Sequence, residues 1–393
     1  MALLTGRLLL ARTEIGTAEG DLRFLPPQPP LDWSKIRIDG LAAQVAALYP
    51  ALDSAVASLQ KTKTEALVAT RISLLLPVPS AMDDRLELLD VDFQRPEDNR
   101  YQLTTSVLHG KLSPKLTIGI DTDGARATGF QMAIEALSAD PWLMKYSKIT
   151  GERRYGLDLA LDLAVESKRD DRLVARVMAG PGSFYADGDV QPVNGGRGIL
   201  FYDFKARKIE LSDGLMDLGS TVVPLEGTLL DLDHVAKDKP HGFAFEVVGN
   251  DAVAMAEGSN EPPEHFNANV TGYFLPATKV LRLDKLGIAT DSGNFAGALD
   301  VQFVKPSPAV NFAARSDSLS AAAIKQLWPF WFGKKARHWV LENISGGTIS
   351  NGAIDVSLAA GRIPEHPEPL VFAQNELHIS FDAKDTGVRF LPG

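Results

Sequence analysis

The chain has 393 residues, 45% of them hydrophobic, and a formal net charge of −10 at pH 7. That is enough apolar material for a large core or an extended array, and the acidic balance argues against nucleic acid as a partner, since phosphate binding needs a basic face. There is no cysteine, which excludes disulfides, thiol catalysis and cysteine-ligated metal. No run reaches the ~18–20 apolar residues of a membrane-spanning helix.

In chain order, GRLLLARTEIGTAEGDLRF predicts strands, and an arginine inside its apolar stretch makes it a poor signal peptide. PPQPP (Pro26–Pro30) is a loop. Gly40–Leu59 is alanine-rich with apolar spacing near 3.6 and predicts a helix that Pro50 ends or kinks. LELLDVDF, with Leu88 and Leu89 doubled, predicts a bulged strand, and KLTIGIDTDG another strand. Phe130–Ser147 is expected to be helical and broken at Pro141. YGLDLALDLAVES then alternates strictly: Leu157, Leu159, Leu161, Leu163 and Val165 point one way, and Asp158, Asp162 and Glu166 the other. SKRDD turns the chain and LVARVMA returns, an antiparallel hairpin. GPGSFYADG (Gly180–Gly188) is expected to be a turn, and the glycines of NGGRGILFYDF (Asn194–Phe204) a hairpin turn.

A degenerate repeat follows. Lys208–Leu232 is similar to Lys279–Phe303: an apolar-x-apolar strand, an aspartate-containing turn, a short strand, then Gly-x-Leu leading into the next strand. In the second copy Leu281 and Leu283 flank Arg282, and Phe295, Leu299 and Val301 share one parity. Ser259–His265 is a loop; Ser320–Trp331 predicts a third helix, stopped by Pro329; ISGGTISNGAIDVSLAAG and ELHISFDAKDTGVRFLPG are looser copies of the strand unit. Strands with one apolar face require a cover. Either two sheets pack as a sandwich, or one curved sheet leaves a long apolar concavity, which is rare unless something binds there.

The chemistry-bearing residues give no enzyme. The seven histidines form no H-x-H or H-x-x-x-H pair, there is no G-x-S-x-G, and the glycine clusters match no phosphate loop. Paired aspartates (Asp158 and Asp162; Asp121 and Asp123; Asp231 and Asp233) read as a solvated strand face, with a carbohydrate-active site as the weaker alternative. No cofactor and no metal are expected. Gln326–Gly347 concentrates Trp328, Trp331 and Trp339 beside Lys334, Lys335 and Arg337. It suits a membrane-interface element or a plug whose tryptophans pack while the cations reach outward; the plug is the simpler reading.

That stretch carries a resemblance. AIKQLWPFWFGKKARHWVLENISGGTISNG is similar to the signature of the AsmA-like proteins of Gram-negative bacteria, in the YhdP-type branch: a short helix ending in Leu-Trp-Pro, an Arg-x-Trp pair and an Asn-x-x-x-Gly turn opening the next strand. The matching positions are Leu327, Trp328, Pro329, Arg337, Trp339, Asn343 and Gly347. The helix–strand–turn–strand order from Ser138 to Tyr185 agrees, and the resemblance extends from about Gly124 onward. It suggests an amino-terminal part of the β-array at 1–126 with a helical insert, and an AsmA-like segment at 127–393 with inserts near 130–147 and 320–331.

The resemblance implies a mostly β chain with a few short helices: an elongated, twisted antiparallel sheet curled into an open apolar groove. It implies a periplasmic segment of a larger protein, anchored in the inner membrane outside this chain. Its partners would be phospholipid acyl chains carried between inner and outer membranes, together with proteins of both membranes. On that reading Leu157, Leu159, Leu161, Leu163, Leu281, Leu283, Phe295, Leu299 and Val301 line one concavity. The alternative is a scaffold or assembly factor for the outer membrane, in which the same residues meet across two packed sheets.

Overall fold

The computed structural model describes residues 12–24, 32–77, 85–108, 113–146, 151–186, 189–330, 333–364 and 370–389. The loop at Pro26–Pro30 and Trp331 lie outside these. The chain opens with β1 (Arg12–Asp21) and helix α1 (Leu41–Thr62), followed by β2 (Ala66–Leu75), β3 (Arg85–Glu97), β4 (Arg100–Leu108), β5 (Lys115–Asp123) and β6 (Arg126–Ser138). A single turn, α2 (Asp140–Leu143), leads to β7 (Met144–Tyr146), β8 (Arg153–Lys168), β9 (Arg172–Ala186), β10 (Asp189–Val193), β11 (Gly195–Asp203), β12 (Lys208–Asp217) and β13 (Val222–Asp231). Another turn, α3 (Leu232–Val235), precedes β14 (Phe243–Ala254), β15 (Glu264–Leu275), β16 (Val280–Thr290), β17 (Gly293–Gln302) and β18 (Ala309–Ser320). Helices α4 (Ala321–Leu327) and α5 (Lys334–Asn343), then β19 (Ile344–Ser345), β20 (Thr348–Leu358), β21 (Leu377–Lys384) and β22 (Gly387–Val388), complete the order.

Twenty of these strands make one sheet, and β19 with β22 makes a second, two-stranded one. From β2 onward the large sheet is an antiparallel meander in sequence order. β7 shares one flank of β8 with β6, and β10 shares one flank of β9 with β11. The sheet does not close: β1 pairs only with β2, and β21 only with β20, among the described residues. β1 runs parallel to β2, the exception in the ladder. A parallel pair needs a crossover connection, and α1 supplies it.

The aspartate turns of the repeat are bulges inside continuous strands. β12 runs through Asp213 with a register shift between Leu211 and Gly214, and β16 runs through Asp284 with a shift between Leu283 and Leu286. β14 and β20 repeat this at Asp251 and Asn351, and β3 at Asp90, beside the doubled Leu88 and Leu89. Asp90, Asp213, Asp251 and Asn351 hold φ between 47° and 53°, a left-handed conformation that aspartate and asparagine tolerate better than most residues. Bulges increase local twist and bend the strand, so the repeat encodes curvature rather than chain reversal. Gly180–Pro181 and Asn194 are corrected likewise. The first is an irregularity inside β9, opposite Leu159–Leu161, and the second separates β10 from β11.

Phe130–Tyr146 is not a helix: β6 occupies Arg126–Ser138, and helix is confined to α2; Ser147 lies outside the described residues. The register of β6 shifts between Ile134 and Leu137. The bulge therefore spaces its apolar residues as Phe130, Ile134 and Leu137, which imitates a helical period.

Helix α1 forms as expected but continues past Pro50 to Thr62, where Lys63 closes it in the left-handed conformation. Val45 and Tyr49 on one side of the proline and Val56 on the other are buried, so packing onto the sheet outweighs the lost backbone bond. The helix lies across the strands. Gln60 Nε2 donates to the Gly124 carbonyl (2.6 Å) at the end of β5. Just before the helix, the Asp231 carboxylate at the end of β13 accepts from the N–H groups of Ile38 (3.2 Å) and Asp39 (3.0 Å). A 22-residue helix is ~33 Å long, close to the ~29 Å from β5 to β13 at the usual strand spacing.

Candidate functional site: an apolar groove

Cross-strand partners share a sheet face, so the register traces rows at right angles to the strands. One row is apolar over seventeen strands, from β2 to β21. It begins with Leu67, Phe93, Leu103, Ile118, Met132 and Val165. Ala175, Leu200, Leu211, Gly227 and Val247 continue it. Val270, Leu286, Gly297, Ala314, Ile354 and Ile379 complete it. A parallel row on the same face, nearer the α1 end of the strands, runs from Tyr101 to Leu377 and includes Phe130, Tyr202, Leu229, Leu283, Leu299 and Phe312. Its one polar member is Ser167. Neither row holds a charge. The opposite face carries Gln94, Gln102, Gln131 and Glu166 on one set of strands and Glu210, Thr228, Glu246 and Thr271 on another.

Glycines mark the bulges on the apolar face. A Cβ added at Gly182, Gly214 or Gly272, all on that face and all flanking register shifts, would lie 2.1–2.3 Å from a carbonyl oxygen of the neighbouring strand. Gly119 and Gly287 on the polar face flank no register shift and meet nothing closer than 3.5 Å. The apolar side, on which α1 packs, is the inner face.

Among the described residues no second sheet covers this face. Of the seventeen residues in the first row only Ala314 is buried; Met132 and Ile379 are exposed (38% and 53%), and the rest are half-buried. A sandwich would bury such residues almost completely. The substantial strand–strand contacts all run between ladder neighbours.

Helical elements cover the two rims instead. At one, α1 packs Val45, Tyr49 and Leu52 against Ile120, Ala127, Phe130 and Leu173. The Tyr49 hydroxyl bonds the Ser167 hydroxyl (3.1 Å), and its ring lies under the Arg169 guanidinium. Arg169 and the Ala127 N–H both donate to Asp53; the arginine bonds first, then the backbone bond, hold that carboxyl below the usual carboxylate range. Arg37 fixes the approach to α1 through Asp233 (2.8 Å) and likewise lowers its pKa.

At the opposite rim, α4 is locked by Gln326. Its Nε2 donates to the carbonyls of Glu261 and Pro262, and its Oε1 accepts from the Ala256 N–H, each at 2.7 Å. Lys325, only 5% exposed, pairs with Glu261 (3.0 Å), and the Ser320 hydroxyl caps the helix by accepting from the Ala323 N–H (2.9 Å). Phe330 then packs edge-on against Phe184 of β9, ring centroids 5.1 Å apart, and Lys334 pairs with Asp189.

All nine residues expected to line a concavity lie on the inner face, in two groups. Leu157, Leu159 and Leu161 sit with Phe184 and Val193 beneath the α2 turn, where Leu159 is buried, and Leu163 lies opposite Ile134 and Val177. Leu281 and Leu283 on β16 face Val301 and Leu299 on β17, and Phe295 faces Ile288. Sequence reasoning read β3 and β5 as strands without assigning their side chains to the wall, and did not read β2, β4, β6 and β14 as strands; the row takes Phe93, Leu103, Ile118, Met132 and Val247 from this set. Their bulges interrupt the alternation; pairing register alone brings them into line.

The motif residues hold the α4–β20 connection. Leu327 and Trp328 are half-buried and Pro329 follows the end of α4. Arg337 donates to the Trp328 carbonyl (3.2 Å), and burial lowers its pKa. Asn343 Nδ2 donates to the Trp339 carbonyl (2.9 Å). Gly347 takes φ 78°, and a Cβ there would meet the Thr386 hydroxyl at 2.3 Å. One expectation of the plug reading fails: Trp339 is 45% exposed. Lys334 reaches outward, its side chain 62% exposed, and pairs there with Asp189.

No family model, no curated protein and no solved structure matches this chain. Among the described residues no helix is long and apolar enough to cross a membrane.

Proposed function

We propose that the chain is a segment of a bridge-like lipid-transfer protein, which shields phospholipid acyl chains in its groove between inner and outer membranes. The observation that carries this is the uninterrupted apolar row from Leu67 to Ile379, half-exposed and, among the described residues, opposed by no second sheet. At ~4.8 Å per strand the sheet extends about 80 Å along the groove, against ~30 Å for the hydrocarbon core of a bilayer. Covering half the surface of an acyl chain of about sixteen carbons gains on the order of 6 kcal/mol. The wall has the same chemistry from strand to strand, so that gain is similar at every step and a chain can slide without a trap. The resemblance of Leu327–Gly347 to the AsmA-like signature points the same way. The scaffold reading requires a self-packed core, and the half-exposed inner face weighs against it.

The test is lipid mass spectrometry on the purified chain, with Leu161→Asp and Leu299→Asp beside the wild type and Thr228→Asp on the outer face as control. The expected result is phospholipid on the wild type and the control, and several-fold less on the two inner-face variants. A lipid-free wild type, or inner-face variants loaded like the control, would overturn the proposal.

A further inference from the structure

The two edges of the large sheet differ. At β1 the inner-face positions shrink to Thr13, Ile15, Ala18 and Gly20, and the strand carries Glu14, Glu19 and Asp21. The apolar wall fades out there, and charge blunts the edge. At β21 the wall arrives at full size. Leu377 and Ile379 end the two apolar rows, Phe381 extends that face, and Ile379 and Phe381 are 53% and 57% exposed. Seven of the eight β21 residues are exposed, and among the described residues only β20 pairs with the strand. β21 has no proline and no bulge of its own, because the register shift against β20 falls between Ser350 and Ala353. Such an edge is a ready template for another strand.

Its sequence identifies that strand. Placed antiparallel to itself about Ser380, β21 opposes Ile379 with Phe381 and Leu377 with Ala383 on the inner face, and His378 with Asp382 on the outer face. Every pair matches in face and character, the requirement of a two-fold, isologous interface. Shifting the register by one residue would set apolar against polar positions throughout.

We propose that β21 pairs with β21 of a second copy of this chain, with Ser380 on the two-fold axis. The axis is perpendicular to the sheet, so both inner faces lie on the same side and the two grooves join into one. Ile379 of each copy faces Phe381 of the other, carrying the apolar row across the junction. This pairing needs no ligand and stands apart from the lipid reading.

The absence of cysteine from the chain gives a clean test. Directly opposed antiparallel residues have Cα atoms ~4.5–5.5 Å apart, within the range a disulfide spans. Residues two positions off the axis lie ~14 Å from their own symmetry mates. Light scattering of the 393-residue chain should give twice the monomer mass. Mild oxidation of Ser380→Cys should give a covalent dimer at least tenfold faster than oxidation of Asp382→Cys. Phe381→Lys should yield a monomer with an unchanged far-ultraviolet spectrum. A monomeric wild type, equal cross-linking at both positions, or a dimer that survives Phe381→Lys would each overturn the proposal.

Discussion

The Tyr49 hydroxyl of α1 meets the Ser167 hydroxyl of β8 at 3.1 Å, at the one place where the second apolar row contains a polar side chain. Both groups are buried, Tyr49 at 1% and Ser167 at 2% exposure. Burial pushes the Tyr49 phenol up from its ordinary value, partly offset by the Ser167 bond. The helix thus arrives with the one partner that the row lacks. Removing only one side leaves the other unpaired in an apolar setting, whereas removing both does not.

Tyr49→Phe and Ser167→Ala should therefore each cost about 1–2 kcal/mol, and the double variant less than their sum. Denaturant unfolding of the four proteins of the cycle measures this. Additive losses would mean that the bond is not coupled.

The bulges rest on glycine at specific inner-face positions. Gly272→Ala places a methyl 2.1 Å from the Arg282 carbonyl, an overpacking that should cost roughly 1–3 kcal/mol. Gly287→Ala on the adjacent strand meets nothing nearer than 3.7 Å and should be neutral or stabilising by about 0.5 kcal/mol. Melting both variants under one condition compares them directly, and equal losses would contradict the close backbone approach at the Gly272 bulge.

The Lys325–Glu261 pair is buried unevenly: the lysine side chain is 6% exposed and the glutamate 27%. Glu261→Ala strands a buried ammonium, while Lys325→Ala leaves a carboxylate that water can reach. The first should cost more than the second, by on the order of 1 kcal/mol or more. Both should loosen α4, read as faster amide exchange at Gln326 and Ala323.

Glu376, at the approach to β21, accepts from Arg362 and from the Ala373 N–H (2.7 Å). These bonds, the arginine's foremost, hold its carboxyl at about 2, below its ordinary 4.5. A depressed carboxyl contributes stability above its unfolded value and loses that contribution as pH falls toward the folded one. Anchoring of residues 370–376 should thus be intact at pH 5 and weakened progressively toward pH 2. Hydrogen exchange along this segment tests it, and Glu376→Gln should show the loosened pattern at every pH.

Strict alternation made β8 and β9 legible in the sequence, and the Lys208 and Lys279 repeats revealed the strand unit. Where a bulge fell, the strand was read with a break, as at Asp213 and Asp284, or not as a strand at all, as in β6. In β6 the extra residue at Ala136, with φ 58°, converts spacing of two into spacing of three, and the alanine and glutamate around it favour helix in isolation. Asp213 and Asp251 have turn chemistry because a bulge and a turn ask the same of the backbone. Helix α5 begins after Gly333 with no side-chain cap, so no starting signal exists to read. The common inner face of leucines as far apart as Leu163 and Leu299 is fixed by register through seven intervening strands, information that no local window contains.

The crossover from β1 to β2 also sets an order of events on the ribosome. Helix α1 is complete in sequence at Thr62, yet the approach to it docks on Asp231 and its far end on Gly124. At ~5–20 residues per second, the ribosome delivers Asp231 on the order of ten to thirty seconds after the helix has emerged. The seat of Val45 and Tyr49 is itself complete only when Leu173 has emerged. Until then the amino-terminal segment waits unfolded or guarded, and its rim closes in stages, first over β5 to β9 and then at Asp231.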